Sequence, residues 1–235
     1  MKSSKRIALV CLWLAWLLAR PADTLAQGNF AYQQWVNPNP RPGVPWDDSG
    51  VWVQGSPLNP TPLNIDMDLD GNIDFQIVSR GDRNLSINAI GTGEVIALRN
   101  PPPDLSRYAA RLAVGQEVSS LTPMPYEWVE TINSPPETLG ATLIDSTTAG
   151  TLGFWGGQFG YLGVRIQING DWHYGWIRGG VPLSIVPEGI FYEAALNLTP
   201  NAGIFAGAVP EPSTWALLSA GGILFWLLGR GKRAA

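Results

Sequence analysis

Short apolar runs broken at close intervals by Gly, Asn, Asp and Pro set the pattern of this chain. VWVQ (51–54), IDFQIVS (73–79), LSINAI (85–90), EVIALR (94–99), ATLIDS (141–146), YLGVRIQI (161–168), WHYGWIR (172–178), LSIV (183–186) and GIFYEA (189–194) all follow it. Many short strands separated by frequent turns predict an all-β domain, a β-sandwich of jelly-roll-like type. One segment departs from the pattern. DLSRYAARLAVGQ (104–116) places Asp104 as a cap after three prolines, spaces Leu105, Tyr108 and Leu112 at helical intervals and stops near Gly115, so it predicts one short helix.

The longest two-run unit is YLGVRIQINGDWHYGWIR, and its register follows from its turn. Asn-Gly is a favoured two-residue hairpin turn, so Asn169 and Gly170 set Ile168 opposite Asp171, Ile166 opposite His173, Val164 opposite Gly175 and Leu162 opposite Ile177. One face is then aliphatic. The other carries Tyr161, Arg165, Gln167, Trp172, Tyr174, Trp176 and Arg178, with Gly163 leaving room above it. Such a face has two readings. Tyr161, Arg165, Trp172, Tyr174, Trp176 and Arg178 form a platform on which sugar rings stack, or they are the second side of a hairpin buried on both faces. The second is favoured, because large aromatic side chains more often build core than ligand platforms.

A second pattern concerns charge. In DMDLDGNIDF, Asp66, Asp68 and Asp70 stand at alternate positions, Gly71 follows where a tight loop needs positive φ, and Asp74 comes after Asn72. Side chains at positions 1, 3, 5 and 9 and a carbonyl at position 7 are the first half of a calcium loop, so Asp66, Asp68, Asp70, Asn72 and Asp74 are candidate ligands. Position 12 is Ile77 rather than a bidentate acid, which excludes an EF-hand; another segment would have to complete the shell. The alternative is a plain hairpin turn through Asp70 and Gly71. Held in extended strand geometry, the three aspartates would share a face and repel unless solvated or paired with a cation.

The two ends of the chain read differently from its middle. Lys2, Lys5 and Arg6 precede an apolar stretch at 7–18, and Thr24-Leu25-Ala26 fits the residues read by signal peptidase. The segment 1–26 therefore predicts a secretory signal helix cut after Ala26, since 12 apolar residues fall short of the ~20 that a membrane span needs. Near the C-terminus, 215–228 has only Ser219 polar and is followed by Arg230, Lys232 and Arg233. Extended to 213–229 it gives 17 residues, or about 25 Å of helix against a ~30 Å hydrocarbon core, which reaches across with local thinning and snorkelling. Basic residues beyond it stay cytoplasmic.

With these ends removed, the segment 27–209 has no lysine and no cysteine, because Lys2, Lys5, Lys232 and Cys11 lie outside it. Eight arginines face seventeen acids, a net charge of −9, which argues against nucleic-acid partners and leaves divalent cations compatible. Without cysteine the exported domain has neither a disulfide nor a thiolate metal site, and its stability must come from burial. The organisation expected is signal peptide 1–26, a proline-rich arm 27–46 carrying Pro38, Pro40, Pro42 and Pro45, one domain 47–208 and a C-terminal signal 209–235.

The order Val209-Pro210-Glu211-Pro212-Ser213-Thr214, apolar helix, basic tail resembles the PEP-CTERM sorting signal of Gram-negative bacteria. The resemblance implies that exosortase, a membrane transpeptidase, recognises Pro210, Glu211 and Pro212, removes the helix and basic tail and passes the protein on to the cell surface or an exopolysaccharide matrix. On this reading the protein is anchored in the inner membrane only transiently, and signal peptidase and exosortase are its export partners. The resemblance covers the tail and supplies a destination, not an activity. The sole histidine, His173, would have to serve any His-based triad, no serine sits in a nucleophile-elbow pattern, and no pair of acids is singled out. The expectation is therefore a non-enzymatic surface or matrix protein with a structural or adhesive role, with calcium and polysaccharide as its candidate ligands. A carbohydrate-binding module and a secreted hydrolase are the alternatives.

Overall fold

The structure is a computed structural model that describes residues 30–36, 49–54, 62–79, 84–99, 107–122, 125–130, 133–134, 137–138, 141–147, 150–152, 154–182 and 188–209. The strands are β1 (Phe30–Gln34), β2 (Val51–Gln54), β3 (Leu63–Ile65), β4 (Phe75–Ser79), β5 (Asn84–Ala89), β6 (Glu94–Arg99), β7 (Arg107–Ala109), β8 (Glu117–Val118) and β9 (Glu127–Glu130). They continue with β10 (Asn133–Ser134), β11 (Glu137–Thr138), β12 (Ala141–Thr147), β13 (Gly150–Leu152), β14 (Gln158–Ile168), β15 (Asp171–Val181), β16 (Glu188–Asn197) and β17 (Ile204–Phe205).

Among the described residues the protein is all-β, as its runs and turns predict, and it has no helix. One curled sheet runs β1-β16-β15-β14-β6-β7-β12-β5-β4-β3, with β2 also on β16, β9 on β6 and β13 on β12. Pairing is antiparallel throughout this sheet except between β7 and β12. The β14–β15 hairpin adopts the register that its turn dictates, with Ile168 opposite Asp171 and Leu162 opposite Ile177. Asn169 and Gly170 both hold positive φ, 55° and 90°, the conformation a two-residue turn of matching twist requires.

Alternation along this hairpin feeds two separate cores. Leu162, Val164, Ile166 and Ile177 join Phe75, Ile77, Leu85, Ile87 and Trp155 in the larger one. Tyr174 and Trp176 join Ile96, Leu112, Val118 and Ile204 in the second, on the opposite face. Gly163 makes the second core's close approach possible, since a Cβ there would stand 2.5 Å from Ile96 Cδ1.

The predicted helix at 104–116 is corrected. Arg107–Ala109 is strand β7, paired with β6 and β12, and Leu112 bridges Tyr161 on β14. Backbone groups that a helix would satisfy internally find partners on neighbouring strands instead, and Ala109 and Ala110 are buried in different cores, as successive strand residues are. Residues 30–34 of the expected arm also belong to the sheet: β1 pairs along its whole length with β16. Among the described residues no helix is long and apolar enough to cross a membrane. The expected signal helix, most of the proline-rich arm and the C-terminal apolar segment lie outside the described residues.

Candidate functional site

The acidic loop, 66–74, connects β3 to β4 beyond their last pair, Ile65 with Phe75. It is wider than a two-residue hairpin turn, and positive φ at Leu69 (64°) and Gly71 (94°) curls it back on itself. Carboxylate oxygens of Asp66, Asp68 and Asp74 lie within 4.8 Å of one another. The main chain holds them there. Asp66 accepts from Asp70 N at 3.2 Å and from Gly71 N at 2.8 Å, Asp68 accepts from Asp70 N at 3.2 Å, and Asp74 accepts from Met67 N at 2.6 Å. Asp70 is not in this group, and Asn72, expected to offer its main-chain carbonyl, turns its side chain to Asp70. Asp70 accepts from Asn72 N at 2.7 Å and from Asn72 Nδ2 at 2.9 Å, so the two side chains engage each other. Ile77, where a closing acid would stand, is buried in the larger core.

Three carboxylates at this separation fit a common sphere around a hard cation with metal–oxygen distances of about 2.3–2.6 Å. Burial, followed by the charges of Asp68, Asp66 and Asp70, pushes Asp74 up from 3.8 to about 6 against the pull of its bond from Met67; burial likewise raises Asp68. Asp70 is lowered by its bonds from Asn72 and acts in the opposite sense. A carboxyl whose pKa is higher folded than unfolded holds its proton more tightly in the native state. In chelator-treated protein, the stability due to Asp74 is therefore complete below about pH 4 and lost as pH rises through about 6. Urea midpoints measured from pH 4 to pH 7 in chelator check this, and Asp74→Asn is expected to flatten the decline.

The aromatic face of the long hairpin is not a platform. Tyr174 and Trp176 are 2% and 0% exposed, too deep to stack on a sugar ring. Tyr161 packs edge-on against Trp176, with ring centroids 5.3 Å apart. Arg165 lies between Trp128 and Trp172, 4.6 Å and 4.0 Å from their ring centres, and its Nε donates to Glu94 at 2.9 Å. Arg178 donates to Glu193 at 2.9 Å and stands 5.0 Å over Tyr192, while Tyr32 donates to the other oxygen of Glu193. Both arginines are paired with a carboxylate and stacked on aromatic rings, Arg165 largely buried and Arg178 partly exposed. His173 is buried as well, its Nδ1 donating to the carbonyl of Asn197 at 3.0 Å.

What covers this face is a lobe that sequence reasoning missed. Segment 110–121 and the last described segment, 198–209, meet through β8 and β17 and through Gly115 N to Ala206 O and Ala206 N to Gln116 O, both 2.8 Å. Two-residue strands have no periodicity to detect; the signal was the apolar content of AGIFAGAV, which has no polar side chain, and of LAVGQEV, where only Gln116 and Glu117 are polar. The lobe ends where the sorting residues begin: Ala208 N still donates to Phe205 O at 2.9 Å, and Ala208 and Val209 are exposed.

Residues 208–233 match the family model described as the PEP-CTERM protein-sorting motif. The tail is a PEP-CTERM sorting signal. A PEP-CTERM motif implies export and sorting to the cell surface with exosortase as the processing partner. Pro210, Glu211 and Pro212 lie outside the described residues, as does Ala26. No curated protein and no solved structure matched the chain.

Proposed function

We propose that the protein is a non-enzymatic structural or adhesive component of the cell surface or extracellular matrix. In this reading signal peptidase cuts after Ala26, the apolar segment 213–229 holds the chain briefly in the inner membrane, and exosortase releases it. The observation that carries the reading is the PEP-CTERM motif at 208–233, directly after a folded β domain. Cores on both faces of the β14–β15 hairpin support a sandwich-like arrangement for that domain. Deleting the exosortase gene tests the sorting step. The protein is expected to move from the surface fraction to the membrane fraction with its tail intact, and an unchanged surface fraction would contradict the reading.

Calcium at Asp66, Asp68 and Asp74 has a structural role in this proposal, with main-chain carbonyls and water supplying the other oxygens. A cation bound only by the folded state stabilises it by about 2.7 kcal/mol at a concentration of 100 times its Kd. Melting at pH 7 with calcium and with chelator is expected to separate by several degrees, and Asp74→Asn is expected to abolish the separation. Coincident curves for the wild type would remove calcium from the account.

A further inference from the structure

We infer that the lobe formed by 110–121 and 198–209 is a membrane-docking surface that rests on the outer face of the bilayer while the C-terminal tail is uncut. The inference rests on the reading of 213–229 as a membrane segment. Of the nine exposed large apolar side chains among the described residues, four lie on this lobe: Val114, Leu121, Phe205 and Val209, at 73%, 81%, 57% and 44% exposure. They are carried by two segments that the β8–β17 pair and the bonds between Gly115, Gln116 and Ala206 hold together. Val114 Cγ2 lies 3.1 Å from where a Cβ of Gly207 would stand, Phe205 pairs with Glu117, and Val209 closes the same segment.

The chain's own path names the occupant. From Val209 to Ser213, where the apolar segment begins, is four residues, which span at most about 14 Å when fully extended. A segment of 17 residues is short for a bilayer, so its ends are drawn toward the hydrocarbon and the lobe is pulled down with them. Exposed apolar side chains held at that distance meet the interfacial layer of the membrane that the tail enters. Charge sets the orientation. The lobe's two segments contain only Arg111 and Glu117 as charged residues, whereas 27–209 as a whole carries a net −9 that anionic headgroups repel. Arg111 is engaged by the carbonyls of Phe154 and Phe159 at 3.2 Å each, which leaves the exposed Glu117 beside Gly203 as the lobe's other charge. Cutting the tail removes the tether, and the lobe then releases the domain from a surface it holds only weakly by itself.

The test uses the full chain in liposomes of phosphatidylcholine and phosphatidylglycerol, with Cys11→Ser and a single fluorophore on Val114→Cys, Phe205→Cys or Ile90→Cys. All three positions are exposed, so the label displaces no core side chain. Ile90 is the control: it lies outside both lobe segments, and its main-chain N–H donates to the carbonyl of Asp74 at the end of the acidic loop at 2.7 Å. Labels at 114 and 205 are expected to be quenched several-fold more strongly than the label at 90 by lipids carrying a shallow spin label, with the tail resistant to carbonate extraction. A carbonate-resistant tail with all three labels equally open to aqueous iodide overturns the docking surface alone. A carbonate-soluble chain with open labels overturns the tail reading as well. Labels at 114 and 205 shielded from iodide but untouched by lipid quenchers would assign the patch to a second copy of the chain and overturn membrane docking.

Discussion

Trp155→Ala is expected to destabilise the domain by about 3–5 kcal/mol, the range for truncating a large aromatic side chain in a packed core. Trp155 is fully buried in the larger core, and its Nε1 donates to the carbonyl of Ala109 at 3.2 Å, tying the chain just before β14 to the end of β7. Its neighbour Gly156 bridges Val181 at the end of β15. Alanine leaves a cavity between these elements and an unpaired carbonyl. Against a total stability of about 5–15 kcal/mol for an ordinary domain, that is a large fraction. A urea midpoint much lower than wild type with an unchanged slope is the expected outcome. Trp155→Phe, which keeps most of the ring volume, is expected to cost less than half as much. A loss under ~0.5 kcal/mol for the alanine variant would mean that this residue does not join the sheet's halves.

Replacing Pro210, Glu211 and Pro212 together by alanine is expected to stop processing almost completely while leaving the domain's melting temperature unchanged. The structural reason is position. β17 ends at Phe205 and the last described main-chain bond of this segment is from Ala208, so in the sequence the triplet comes after the last strand of the domain. Two prolines fix φ on either side of Glu211 and offer no N–H to a sheet ladder, which favours an extended presentation of the glutamate to another protein. Immunoblots of membrane and surface fractions check it: the triple variant is expected in the membrane fraction at full length. A normally released triple variant would show that recognition lies elsewhere.

How much could be read in the residues differs from element to element, for physical reasons. The register of β14 and β15 followed from Asn169 and Gly170, because a two-residue turn fixes every pair beyond it. Gathering of Asp66, Asp68 and Asp74 was also legible, since a nine-residue stretch decides it locally; the pairing of Asp70 with Asn72 was not, because it depends on how the loop curls at Leu69 and Gly71. Segment 104–116 misled because Tyr108 and Leu112 are spaced as on a helix while partners on β6, β12 and β14 claim the backbone. For the aromatic face, alternation placed Tyr174 and Trp176 together but carried no information about what lay above them. Their cover comes from residues some sixty positions before and thirty after in the chain, around Leu112 and Ile204. Long-range closure of this kind is a property of the whole sheet, not of any local run.

The tail's role is tested most directly by the intact mass of the protein recovered from the cell surface. The account predicts a chain that begins at Gln27 and ends close after the Pro-Glu-Pro triplet, lacking the apolar segment and the basic residues from Arg230 onward. A surface-located protein whose mass includes every residue to Ala235 would contradict it.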